Sequence, residues 1–177
     1  MNPMKKLLVY FLFFLTGSLY SQDLPEYNWK DLSNVASIKS FDFEINFEHA
    51  EIMWLKHSEY VKIDPEWSLY ESRFLAQFIG AFNAEANIGS YPHFIANGID
   101  SEFKMVLQIS NVTDGGSHIY GNLFIFNPNG QILFWHPVES KKGRIGSVCK
   151  LMGFSFIEMG HNVGRKFYYY SHPPKRK

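Results

Sequence analysis

Seven histidines, one cysteine and seventeen acidic residues are the side chains through which this 177-residue chain could do acid–base, nucleophilic or metal chemistry. Glu158-Met-Gly-His161 places a carboxylate and an imidazole three residues apart, which on a helix is half of a carboxylate-bridged metal site. The other half must come from a second such pair, and the helix expected around Trp67 contains no histidine. The pair therefore reads as a solvated helix face, with His161 placed favourably toward the helix C-terminus. His136-Pro-Val-Glu139 and His49-Ala-Glu51 fall on strand and turn segments, where histidines are ordinarily hydrogen-bonded residues of no further consequence. The chain has no Gly-x-Ser-x-Gly elbow, no Cys-x-x-Cys, no phosphate-cradling Gly-x-x-x-x-Gly-Lys and no His-Glu-x-x-His. No catalytic residue, metal-ligand set or cofactor motif is thereby nominated, and no cofactor is expected.

Cys149 has no partner for an intramolecular disulfide and lies in an apolar helical pattern, so it is expected to be a small buried residue. The compartment is nevertheless expected to be outside the cytoplasm. Met1 to Lys6 is short and basic, Leu7 to Leu15 is an apolar run of nine residues, and Thr16 to Gln22 is small and polar. That is the three-part layout of a secretory signal peptide, and the apolar run is too short to span a bilayer comfortably. Cleavage after Ser21 leaves about 155 residues, one domain's worth, resting on a hydrophobic core without disulfides. An exported domain of this size without disulfides fits a bacterial envelope better than a eukaryotic secretory route, either periplasmic or extracellular. Asn111-Val-Thr113 matches a glycosylation sequon but leads straight into Asp114-Gly-Gly116, where it reads as turn chemistry.

A formal charge of zero hides an uneven distribution. Residues 22 to 138 hold fifteen acids and six bases, a net of −9, and residues 139 to 177 hold two acids and nine bases, a net of +7. Without Lys5 and Lys6 the mature chain carries −2, which implies no general affinity for nucleic acid. The basic tail, residues 173–177 (Pro-Pro-Lys-Arg-Lys), is suited to weak contact with an anionic membrane, or is simply solvated.

The elements that must hold these residues follow from periodicity. Gln22 to Asn34 is a polar leader in which Tyr27 and Trp29 are the candidate anchors. Phe41, Phe43, Ile45 and Phe47 alternate with Asp42, Glu44, Asn46 and Glu48, a strand with an aromatic inner face and an acidic outer one. Ile52 to Leu55 is either its hairpin partner or its continuation. Asp64-Pro65-Glu66 signals a helix start, and Trp67, Tyr70, Phe74, Phe78 and Phe82 form one apolar stripe, predicting a helix over 65–83. Asn83 to Ser101 is long for a structureless connection. Phe103, Met105, Leu107 and Ile109, then His118 to Asn127, then Gln131 to Val138 form three strands of an antiparallel meander, joined at Asn111 to Ser117 and at Asn127-Pro-Asn-Gly130. A second helix is predicted over 145–168, because Ile145, Val148, Met152, Phe156, Met159, Val163 and Phe167 recur at steps of three and four. Gly153, Gly160 and Gly164 each cost it about 1 kcal/mol, which signals close backbone approach. Tyr168 to Tyr170 is either the helix end or a last edge strand.

The fold class expected is α+β, with an antiparallel sheet of four to five strands and two helices packed on one face. Residues 1–21 are the signal peptide, 22–172 the single domain and 173–177 the basic tail. On the last two meander strands Tyr120, Phe124, Phe126, Leu133 and Trp135 fall opposite Ile119, Leu123, Ile125, Ile132 and Phe134, so both faces are apolar. Either another segment covers the second face, or it is an interaction patch for a protein partner or a second copy of the chain. Those five aromatic and aliphatic residues are the candidate binding site.

The strand, the Arg73-Phe74…Phe82-Asn83 helix, the strand ending at Asp114-Gly-Gly116, the hairpin and the glycine-bearing last helix together resemble uncharacterised small exported proteins of Bacteroidota-type bacteria. More distantly, the order looks like the small α+β domains of envelope assembly proteins. The resemblance covers most of the mature chain and implies export and fold class, and it brings no activity or site residue. The function expected is a non-enzymatic binding module of the bacterial envelope. The rival expectation is a small secreted hydrolase or carbohydrate-active protein built on the 83–101 loop, with a cleft at Tyr91 to Ile95 and carboxylates among Glu85, Asp100 and Glu102.

Overall fold

Phe41 and Phe43 are buried on one side of β1 (Ser40–Asn46) while Asp42 and Glu44 are partly exposed on the other, as their alternation requires. A computed structural model describes residues 27–88, 92–96, 101–141 and 145–171. After β1 come two short strands, β2 (Glu51–Ile52) and β3 (Leu55–Lys56), then helices α1 (His57–Ile63) and α2 (Trp67–Ala86), and a short β4 (Phe94–Ile95). The meander follows as β5 (Lys104–Thr113), β6 (His118–Phe126) and β7 (Ile132–Lys141), and α3 (Val148–Tyr170) closes the fold. A 3-10 helix, Trp29–Val35, precedes β1 and buries Leu32 and Val35.

The mixed α+β class is as expected, but a wholly antiparallel sheet of four to five strands is not what forms. Seven strands are found among the described residues, three of them only two residues long. β5, β6 and β7 pair antiparallel, whereas β1 runs parallel to both β5 and β4, and β2 runs parallel to β5. The reason lies in the connections. A chain that leaves β1 and returns through helices can enter the sheet again in the same direction, which a tight turn does not allow. Ile52 to Leu55 is not a hairpin partner of β1; its first residue continues β1 in the same direction along the same edge of β5. It folds on itself as the β2–β3 hairpin and extends the β1 edge along the second half of β5. Its turn holds Met53 and Trp54 at φ 51° and 72°, left-handed conformations for which neither side chain is suited.

α2 begins at Trp67, two residues later than Pro65 signals, because Asp64 and Pro65 form a turn in which an Asp64 carboxylate oxygen accepts the Glu66 N–H at 3.0 Å. At the other end α2 runs to Ala86, so Asn83 and Glu85 are helical and not part of a loop. Asn83 grips β4 twice, accepting the Ile95 N–H at 2.7 Å and donating to the Ile95 carbonyl at 3.0 Å. The 65–83 stripe is confirmed by burial of Trp67, Phe74, Phe78 and Phe82. α3 takes in Tyr168 to Tyr170 as its last turn, which settles them as helix.

α2 and α3 lie side by side and run in the same direction, as neighbours of successive glycines show. A Cβ at Gly160 would stand 2.6 Å from the Phe78 carbonyl oxygen, and one at Gly164 would stand 2.7 Å from that of Phe82. Phe43 stacks on Phe78 at 4.5 Å and Phe41 meets Phe167 at 5.7 Å, so both helices cover the same face of the sheet. The end of this layer is fastened by His93, which is fully buried. Its Nδ1 donates to the Ile38 carbonyl at 2.6 Å, and its Nε2 meets Ser171 Oγ at 2.7 Å. One imidazole thus ties the approach to β1, the approach to β4 and the end of α3.

Candidate functional site

The five residues nominated on the second face of the meander do not all come together. Val106, Phe124 and Trp135 are register neighbours on that face, and Phe124 stacks with Phe126 at 6.0 Å and Trp135 at 6.2 Å. Leu133, displaced by a register shift between Ile125 and Phe126, packs against the main core. Tyr120 lies on the His118 ring at 4.1 Å, with its hydroxyl 3.0 Å from His118 Nδ1. Phe124, at the centre, keeps only 2% of its surface, while Tyr120, Phe126 and Trp135 are partly exposed.

An open concavity lies elsewhere, between the N-terminal 3-10 helix, the strand β7 and α3. Its volume is about 470 Å³, within the range of small-molecule sites. Local chemistry places each wall. Asn28 and Asp31 form a reciprocal capping box, the Asp31 carboxylate accepting the Asn28 N–H at 2.6 Å, and this starts the 3-10 helix just before Trp29. Trp29 is thereby laid on His136 at 4.5 Å, stacked, and against Phe134 at 5.7 Å. His136 Nδ1 donates to the Pro137 carbonyl at 2.7 Å, which fixes the ring under the indole. On α3 the spacing of Met159, Asn162, Val163, Lys166, Tyr169 and Tyr170 puts them on one stripe facing the groove. Val138, Met159 and Val163 are buried and form the apolar floor.

Charge at the groove is cationic. The Lys166 ammonium sits 5.8 Å from the Trp29 ring centre and 5.6 Å from that of Tyr170, a cation held between two aromatic faces. Arg165 is adjacent and turns its Nε toward Glu85 at 3.6 Å. The one acid in the lining, Glu139, leans toward His118 Nε2 at 3.4 Å. Trp29 carried a hint in sequence, as an aromatic residue in an otherwise polar leader. Lys166, Val138 and Tyr170 carried none, because their meeting depends on β7 and α3 lying side by side.

The titratable residues nominated earlier are scattered. His161 pairs not with Glu158 but with Glu85 of α2, at 3.0 Å. Glu85 is therefore occupied by His161 and Arg165, and Glu102 is exposed just before β5. Tyr91, Asp100, the 1–21 segment and the 173–177 tail lie outside the described residues. His57 is sandwiched against Phe47 and Trp67, and burial lowers its pKa despite the nearby Glu71 charge. Among the described residues no group of three His, Cys, Asp or Glu side chains could hold a metal ion, and no helix is long and apolar enough to cross a membrane.

A further ionisable cluster joins three helices. Asp64 Oδ2 accepts the Tyr60 hydroxyl at 2.8 Å and the Cys149 thiol at 3.4 Å, joining α1, the start of α2 and the start of α3. Burial and the Asp64 carboxylate push the Cys149 thiol up to about 12. A thiolate fraction near 1 in 10,000 at pH 8 is expected from that value. Cys149 should accordingly resist iodoacetamide at pH 8 in the native protein and label promptly in denaturant; fast native labelling would contradict the buried thiol. Burial tends to raise the Asp64 pKa, but hydrogen bonds from Tyr60, the Glu66 N–H and Cys149 outweigh it and leave the carboxyl below its usual value. A depressed carboxyl contributes stability above the unfolded pKa of about 4 and loses it as pH falls through that range. Asp64→Asn should lower the urea midpoint at pH 7 and lose less than the parent protein between pH 6 and 3. Equal losses in the two proteins would remove Asp64 from the account.

No protein-family model matches the chain, and no curated protein is significantly similar to it.

Proposed function

We propose that this chain is an exported, non-enzymatic binding module of the bacterial envelope, periplasmic or extracellular, and that the groove between the 3-10 helix, β7 and α3 is its recognition site. What carries the reading is one feature: an open concavity of about 470 Å³ with an apolar floor, aromatic rims and a ring-flanked cation. Such mixed lining is what orients a ligand by a few polar contacts over an apolar bed. The meander face supports a partner less well, since Phe124 at its centre is already enclosed. β7 is also poorly suited to pairing with an added strand, because Pro137 removes an edge N–H. Export rests on the tripartite 1–21 segment. Mass spectrometry of protein produced in a bacterium with its own N-terminus should find Gln22 as the first residue; an intact Met1 on envelope-associated material would refute cleavage.

The binding claim is tested by nuclear magnetic resonance of the isotope-labelled mature chain against a library of ring-bearing fragments. Perturbations are expected at the Trp29 indole and at the amides of Val138, Lys166 and Tyr170, with the exposed Trp54 indole unmoved. A library that perturbs other surfaces and leaves this set alone would overturn the assignment.

A further inference from the structure

Resting on that reading of the groove, we infer its ligand class: a small amphiphilic carboxylate, its apolar body on Val138, Met159 and Val163 and its anion on Lys166. The lining holds two bases, Arg165 and Lys166, against one acid, Glu139, whose carboxylate is turned toward His118. Lys166 has no carboxylate partner among the described residues; its ammonium is held only by the Trp29 and Tyr170 rings. Flanking rings fix the position of an ammonium without using its hydrogen-bond donors, because they attract it through their faces. The donors therefore stay available to an oxyanion, and an anion arriving there meets a cation already partly stripped of water. Arg165 is committed to Glu85 through Nε alone, so its terminal nitrogens extend the positive field along the same wall. A cationic ligand would be repelled, and a neutral one would gain only the apolar contact.

The experiment compares three probes that share one ring and chain length: 3-phenylpropionate, 3-phenylpropanamide and 3-phenylpropylamine, each titrated into the mature protein with binding read from groove resonances. The carboxylate should bind at least about tenfold more tightly than the amide or the amine, with the preference shrinking as salt is raised. Lys166→Gln should abolish the preference while leaving the amide's affinity unchanged, which also shows that the groove is intact. If amide and carboxylate perturb the groove with equal affinity, or if Lys166→Gln keeps the full preference, the ligand class is wrong and groove binding stands. If none of the probes perturbs the groove while ring-bearing fragments of other chemistry do, the class is again wrong. If nothing perturbs it, both readings fall together.

Discussion

Gly160→Ala should be among the most damaging single-methyl additions to this protein, costing about 3 kcal/mol. The added Cβ would stand 2.6 Å from the Phe78 carbonyl oxygen and 2.9 Å from the Ala81 methyl. Neither neighbour can swing aside, since one is helix backbone and the other has no rotamer to change. α2 and α3 would have to separate, loosening Phe78 and Phe82 from the layer that covers β1. At this chain length the loss corresponds to a fall of about 6 to 12 °C in melting temperature. Gly80→Ala is the built-in control, because its Cβ would meet nothing within 4 Å. There alanine's better helix propensity should raise stability by up to about 1 kcal/mol. Opposite signs at the two positions, read from urea unfolding, are the expected result. A neutral Gly160→Ala would mean that the helices are not in backbone contact.

His93→Ala should be as costly, at about 3 to 5 kcal/mol, for a different reason. Removing the ring empties a fully buried site and takes away the donor to the Ile38 carbonyl and one of the two partners of Ser171 Oγ. Ser171→Ala should cost less, about 1 kcal/mol, because the Phe167 carbonyl that Ser171 also bonds still accepts the residue 171 N–H. Hydrogen exchange offers a readout that mere cavity formation would not move. Amides in the last turn of α3 should lose protection in His93→Ala well before those near Met152. If the last turn stays as protected as the middle of the helix, His93 is packing material and not a fastening.

Phe41 and Phe43 announced their buried face, and the Trp67 to Phe82 and Ile145 to Phe167 stripes announced theirs, because burial of a regular element leaves a periodic trace; only Ile145 breaks the pattern, exposed and ahead of the start of α3 at Val148. The three glycines of α3 announced a close neighbour, though not which one. His93 gave no such trace: it is the lone imidazole of a two-residue strand's approach, and its partners Ile38 and Ser171 lie 55 and 78 positions away. The 83–101 loop expectation makes Glu85 a loop carboxylate, whereas α2 runs three residues past its predicted end, to Ala86, and takes Glu85 into the helix. Strict alternation places Leu133 on the outer face, but it packs against the core, since one register shift reverses the parity of everything beyond it.

By itself the amino-acid sequence determined the long elements of this protein, β1, α2, the meander strands and most of α3, and most of their buried faces. The direction in which β1 joins the sheet, the choice of Glu85 over Glu158 as partner of His161, and the convergence of Trp29, Val138 and Lys166 on one groove were decided only by the tertiary structure. The physical reason is range. Periodicity records which side of an element avoids water, a property of neighbours within a few turns, whereas a groove is made of surfaces brought together by how distant elements cross, and no local pattern carries that crossing.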